Sequence, residues 1–121
     1  SKKIGMKYQG SCHCGSIKFK FAGEEITKGI RCNCSICKRK GALMSVYAIA
    51  PQNIKISILD NALETYEFSS GVAKHHFCKK CGIYPFHQTL RQPGHYRVNL
   101  GCISELDTLA LPYDVFDGAA L

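Results

Sequence analysis

Seven of the eight cysteines fall in three tight groups: Cys12-His13-Cys14, Cys32-Asn33-Cys34-Ser35-Ile36-Cys37 and Cys78-Lys79-Lys80-Cys81. A C-x-C or C-x-x-C step lets one short loop aim two sulfurs at a single point, each about 2.3 Å from it, as zinc ligation requires. Four thiolates close a tetrahedral shell and make a structural site, whereas three leave a position open for chemistry. Two groups of two and one of three therefore predict two zinc ions, one enclosed and one accessible. A three-sulfur zinc is a weaker Lewis acid than a three-histidine one, and its natural fourth ligand is another soft donor, a substrate thiol. Coordination would lower that thiol's pKa and hold it as a nucleophile.

Cys12 and Cys14 precede one expected strand, and Cys78 and Cys81 end another, with Gly82 free to take a positive φ. Joining these two knuckles would pin residues 10–16 to residues 77–83 and close a long loop, which removes much unfolded-state entropy. Spacing alone leaves another pairing open, Cys78 and Cys81 with two of the middle trio. The trio can reach one metal unaided. Arg31 precedes it, and Lys38, Arg39 and Lys40 follow. These cations can stabilise thiolates and receive the carboxylates of an anionic thiol, or they form a solvated, charge-balancing face.

The remaining candidates are weaker. His87, after Tyr84-Pro85-Phe86, is a candidate proton donor at the open site, since an ordinary histidine pKa near 6.5 suits that role. His13 lies between two ligands and should point away from the metal. His75 and His76 are consecutive on a strand, so one should face in and the other out. His95 sits by the Pro93-Gly94 turn, and Cys102 reads as a small buried hydrophobe. No Ser-His-Asp arrangement, phosphate-cradling glycine loop or pair of catalytic carboxylates is visible.

The elements that must position these residues are short. Residues 16–21 alternate, with Ile17, Phe19 and Phe21 on one face and Ser16, Lys18 and Lys20 on the other, the pattern of a half-buried strand. Further strands are expected over Met44–Ala50, ended by Pro51, over Ile54–Ile58 before the Asp60-Asn61 turn, and over His95–Leu100. Glu64–Phe68 and Lys74–Phe77 read as two strands around Ser69-Ser70-Gly71. Helix should be confined to single turns near Lys38–Gly41, Pro51–Ile54 and Asp107–Leu111. Many short strands with Gly and Pro punctuation predict a mainly β fold.

The 121 residues, 45% hydrophobic and 21% charged, suit one globular domain over residues 1–121. No apolar run approaches the roughly 20 residues of a membrane span. The charged start, Ser1 to Met6, is followed by no apolar h-region of about 7–15 residues, so no signal peptide is visible. A cytoplasmic location follows as the expectation, where structural disulfides are rare and clustered cysteines bind metal. The formal charge of +7 falls to about +4 once a four-thiolate zinc (−2) and a three-thiolate zinc (−1) are counted.

Taken together, Gly10-Ser11-Cys12-His13-Cys14-Gly15, Cys32 to Arg39, and Phe77-Cys78-Lys79-Lys80-Cys81-Gly82 resemble the glutathione-dependent formaldehyde-activating family, to which centromere protein V belongs. The match runs in order and spacing over roughly residues 6–103, far more specific than a lone C-x-x-C. Val98-Asn99-Leu100-Gly101-Cys102 is similar to the family's last core strand. The resemblance implies a β-tent of short antiparallel strands, a structural zinc on Cys12, Cys14, Cys78 and Cys81, and a catalytic zinc on Cys32, Cys34 and Cys37. It also implies carbon–sulfur lyase chemistry, the condensation of glutathione with formaldehyde. Arg31, Lys38 and Arg39 are then the candidates for contacts to the thiol's carboxylates.

The reading of another class is a non-catalytic, zinc-stapled module that binds nucleic acid through Lys38-Arg39-Lys40 and Lys79-Lys80. Neither basic run has an adjacent aromatic on which a base could stack, which weighs against it.

Overall fold

A computed structural model describes residues 4–67, 73–89 and 92–120. Ten short strands form three small sheets, and the only α-helix among the described residues is one of six residues. The alternating segment becomes β2 (Ile17–Gly23), lying between β1 (Met6–Ser11) and β5 (Ile54–Ile58), antiparallel to both. Its inner face carries Ile17, Phe19 and Phe21 into the core, while Lys18 and Lys20 stay exposed. Phe19 pairs with Gly10 on β1, and its ring occupies the space where a Cβ at residue 10 would stand. The ring also meets Phe86 edge-on at 6.1 Å, which joins the first sheet to the third.

The second sheet is β3 (Gly29–Cys32) between β4 (Met44–Ser45) and β10 (Tyr113–Phe116). β10 runs parallel to β3, so this sheet departs from the all-antiparallel expectation. The third sheet orders β6 (Leu63–Tyr66), β7 (Ala73–Cys78), β8 (Phe86–Thr89) and β9 (His95–Val98), all antiparallel. The expected Ser69–Gly71 turn, and Phe68, lie outside the described residues.

Met44–Ala50 is not one strand. Only Met44 and Ser45 pair with β3, and the chain then bends before Ile49 bridges to Tyr96. Arg97 holds the chain at the break: its Nη1 donates to the carbonyls of both Ser45 and Val46. The Ser45 hydroxyl closes the bend on the Tyr47 carbonyl (2.8 Å). The strand expected over His95–Leu100 ends at Val98, because Asn99 caps a 3₁₀ turn at Leu100–Cys102 by accepting from Gly101 N–H.

The helix α1 (Ser35–Lys40) starts earlier than Lys38 and ends at Gly41, whose φ of +66° lets its N–H return to the Cys37 carbonyl. Lys38, Arg39 and Lys40 complement the negative end of the short dipole. Pro51–Asn53 forms the expected single turn, and residues 107–111 form a hydrogen-bonded turn without helix. No helix among the described residues is long and apolar enough to cross a membrane.

Candidate functional site

The fold brings Cys12, Cys14, Cys78 and Cys81 together, and Cys32, Cys34 and Cys37 together, with the sulfurs of each group within 4.8 Å of one another. The alternative exchange of Cys78 and Cys81 with the trio is not the arrangement found. In the four-sulfur group, Cys14 Sγ lies 3.7 Å from both Cys12 Sγ and Cys78 Sγ. The two knuckles are alike: each ends on a glycine of positive φ, Gly15 at +83° and Gly82 at +78°. Backbone bonds close them, from Gly15 N–H to the Cys12 carbonyl and from Gly82 N–H to the Cys78 carbonyl. Cys12 and Cys78 are buried, and Ile17 N–H points at Cys12 Sγ (3.3 Å).

Burial raises the Cys12 thiol, whereas hydrogen bonding to Ser16 lowers that of Cys14 to about 6. Such a set divides the task of carrying negative charge among neighbouring sulfurs. His13 is exposed and outside the group. Cys102 is buried in the core, and burial pushes its thiol up to about 12.

The trio runs from the last residue of β3 (Cys32) through the N-cap of α1 (Cys34) into its first turn (Cys37), and its cysteines are all partly accessible. Cys34 caps α1: burial acts against its thiolate, yet the Cys37 and Ile36 backbone groups bring its pKa below the usual thiol range. Burial drives Cys37 the other way, to about 12, partly offset by Lys40. The segment after β10 straps over this turn. Asn33 Nδ2 donates to Asp117 (2.9 Å), Ala119 N–H donates to Asn33 Oδ1 (2.9 Å), and a Cβ at Gly118 would collide with Cys32 Sγ.

The flanking cations part company. Arg31 Nη1 donates to the Gly41 carbonyl (2.8 Å), with the guanidinium over the Tyr113 ring, and Arg39 Nη1 donates to the Ser35 carbonyl (2.8 Å). Lys38 is exposed. Lys40 alone of the four turns inward: its Nζ stands 3.5 Å over the Tyr84 ring and donates to His75 Nδ1 (2.9 Å). Burial lowers its pKa to about 8 against the pull of the three thiolates.

His75 and His76 are both only 6% exposed, contrary to the expectation that one faces out. The reason is that both faces of β7 are covered. His76 packs on Phe86 and bonds Thr65 and Gln88 on the core side. On the other side, His75, His87 and Arg97 form a row across β7, β8 and β9, covered by Lys40 and Tyr84. Burial, reinforced by Lys40, lowers His75 to about 4 and His87 to about 3. His87 Nδ1 is hydrogen-bonded to the Tyr84 hydroxyl. Sequence reading singled out His87 and missed Tyr84 and His75. The signal was the C-x-x-C-G-I-Y run, which sets Tyr84 three residues past a knuckle cysteine.

The model of the family described as glutathione-dependent formaldehyde-activating enzyme matches residues 7–118. A provisionally named glutathione-dependent formaldehyde-activating enzyme of Phaeosphaeria nodorum is 33% identical over 62% of this chain and 40% of its own length. One of the same name from Halomonas elongata is 31% identical over 63% of this chain and 52% of its own. The chain thus matches about half the length of these curated relatives. The crystal structure of a Rhodobacter sphaeroides protein superposes with a TM-score of 0.72 at 30% identity, covering 88% of this chain and 99% of that one. With two cysteine groups able to hold metal and a match over nearly its whole length, the chain belongs to the glutathione-dependent formaldehyde-activating family.

Proposed function

We propose that this chain, acting as one domain over residues 1–121, is a zinc enzyme of the carbon–sulfur lyase type. Its substrate is the adduct of a small glutathione-like thiol and an aldehyde such as formaldehyde. The observation that carries the reading is a three-sulfur group, partly accessible, with the packed cluster of Lys40, Tyr84 and His87 near it. Sulfurs within 4.8 Å of each other can share one ion, and all-thiolate sets suit zinc. Cys12, Cys14, Cys78 and Cys81 would hold a structural ion, and Cys32, Cys34 and Cys37 a catalytic one.

Zinc on the trio supplies positive charge that favours the thiolate of a substrate thiol over its thiol form. In the condensation the sulfur lone pair attacks the carbonyl carbon, the C=O π pair moves to oxygen, and that oxygen takes up a proton. Cleavage is the reverse. Lys40 sets a cation beside the developing negative charge, where its partial burial makes it more effective than in water. Lys38 is the freest of the outer cations for a substrate carboxylate, since one Nη of Arg31 and of Arg39 is already used on backbone carbonyls. Each exposed pairing contributes only ~0–1 kcal/mol, so affinity should be modest and fall with salt.

Calorimetry of the zinc-loaded protein with glutathione and with S-methylglutathione tests this reading. The analogue keeps every charge and loses the ionisable sulfur, so it should bind clearly more weakly. Equal binding would remove the trio as the thiol site. Affinity for an oligonucleotide with none for glutathione or its S-methyl analogue would favour the binding-module reading.

A further inference from the structure

We propose that Tyr84 is a catalytic residue of this site, its hydroxyl meeting the aldehyde-derived oxygen of the adduct and relaying the proton between that oxygen and His87 Nδ1. The inference rests on the thiol–aldehyde reading above and names the proton path that it needs.

Three observations converge on Tyr84. Its backbone is clamped, with Asn99 Nδ2 donating to the Tyr84 carbonyl and Asn99 N–H to the carbonyl of buried Pro85 (both 2.8 Å). Its ring is seated on Lys40 Nζ, and Lys40 is held in turn by His75. Its hydroxyl ends on His87, the middle member of the row His75, His87 and Arg97. A buried tyrosine needs one partner for its hydroxyl, and a backbone carbonyl would serve. A histidine in that place gives the hydroxyl proton somewhere to go.

The surroundings match the task. Cys37 and Cys34 both act on the Tyr84 hydroxyl electrostatically, adding to burial in keeping it protonated. The hydroxyl therefore works as a donor and a conduit. His87, kept neutral by burial and by nearby Lys40, takes the hydroxyl's hydrogen bond at Nδ1 and gives up any transferred proton at once. No carboxylate pairs with Lys40 among the described residues, so its charge faces the three sulfurs.

The proton balance closes with solvent as the only other partner. In cleavage, the adduct's hydroxyl proton moves to the Tyr84 oxygen as the tyrosine's own proton moves to His87 Nδ1. The C=O bond forms from the O–H pair, and the C–S pair leaves with sulfur. In condensation the path runs in reverse: a proton that His87 holds only in passing moves through Tyr84 to the oxygen that was the carbonyl, while the thiol gives its own proton to solvent and His87 draws one from it. One proton leaves sulfur and one arrives on the product hydroxyl.

Tyr84→Phe keeps the ring on Lys40 and removes only the oxygen. Zinc content and glutathione affinity should stay within error of wild type, while the thermal midpoint drops by several degrees because His87 Nδ1 loses its partner. Protein-dependent exchange between glutathione, formaldehyde and their adduct, followed by exchange NMR, should fall about 10²-fold, the scale of general acid–base catalysis. His87→Gln, which acts only through Tyr84, should lower kcat without raising KM for the thiol. The double variant should be no worse than either single one, because the two residues form one path. Exchange by Tyr84→Phe equal to that of an active wild type overturns the relay and leaves the thiol–aldehyde reading standing. A wild type that neither binds glutathione nor accelerates exchange overturns both.

Discussion

Cys12 and Cys78 are buried at the ends of strands of two different sheets, while Cys32, Cys34 and Cys37 lie within six residues, half-exposed, from the end of β3 into the first turn of α1. The donor atom is the same. In the four-sulfur group the ligands come from distant parts of the chain, so a metal there ties residues 12–14 to residues 78–81 and its binding is folding free energy. In the trio the ligands are already neighbours in sequence, so a metal there closes almost no loop. The polar row of the third sheet is turned toward the trio and away from the four-sulfur knuckles. On the proposed function, stability and chemistry would be separated onto the two cysteine groups.

The largest expected effect tests the first half of this contrast. Cys78→Ser removes a fully buried sulfur from the four-membered group. Structural zinc supplies about 10–16 kcal/mol in small zinc peptides, against a typical domain stability of about 5–15 kcal/mol. The variant should lose its cooperative melt, and circular dichroism with metal analysis should show an unfolded chain. A variant that melts like wild type would deny the clip its structural role. Cys34→Ala should do the reverse, lowering bound zinc from two ions to one per chain with less than about 1–2 kcal/mol lost, the usual range for a partly exposed position. If it unfolds the protein, the trio is structural as well.

The cysteine groups were legible because each is local and its spacing is set by the geometry of ligation. β2 was legible for a related reason: one face meets water, so Ile17, Phe19 and Phe21 alternate visibly with lysines. β10 was not, since Tyr113 to Phe116 are all exposed and show no inside or outside. Met44–Ala50 misled because propensity carries no warning that Arg97, some fifty residues on, will take the Ser45 and Val46 carbonyls. The cluster of Lys40, His75, Tyr84 and His87 was illegible for the same reason. His75 and His87 meet through cross-strand register, and Lys40 reaches them only because α1 ends where it does. Long-range register is the part of the fold that spacing along the chain does not encode.

A milder substitution sharpens the contrast from the side of the trio. Gly118→Ala places a Cβ against Cys32 Sγ, and the strap is held there by the Asn33 bonds to Asp117 and Ala119. Either the strap or the sulfur must shift, at a cost of about 1–3 kcal/mol, as overpacking usually brings. Zinc at the trio should then be lost to a chelator well before zinc at the knuckles, with only a few degrees taken from the melt. Unchanged chelator resistance at the trio would mean that the strap does not position Cys32.

The smallest expected effect is a change of slope with pH. His75 is held neutral in the folded protein, its pKa lowered to about 4 by burial and by Lys40, and Tyr84 and His87 also face it. In the unfolded chain its pKa is near 6.5. Between those two values the unfolded chain binds a proton that the folded one does not, so stability falls as pH drops from about 6.5 to 4 and levels off below. One such group contributes a slope of at most about 1.4 kcal/mol per pH unit. Acid also strips metal by protonating thiolates, but that loss is common to wild type and variant and cancels in their difference. His75→Gln keeps a polar side chain at the position and removes the titration. Urea unfolding at pH 7 and at pH 5 should show a smaller gap between the two midpoints for the variant than for wild type. An identical gap in both would mean that His75 is not held neutral by that cluster, and that acid sensitivity belongs to the cysteine groups alone.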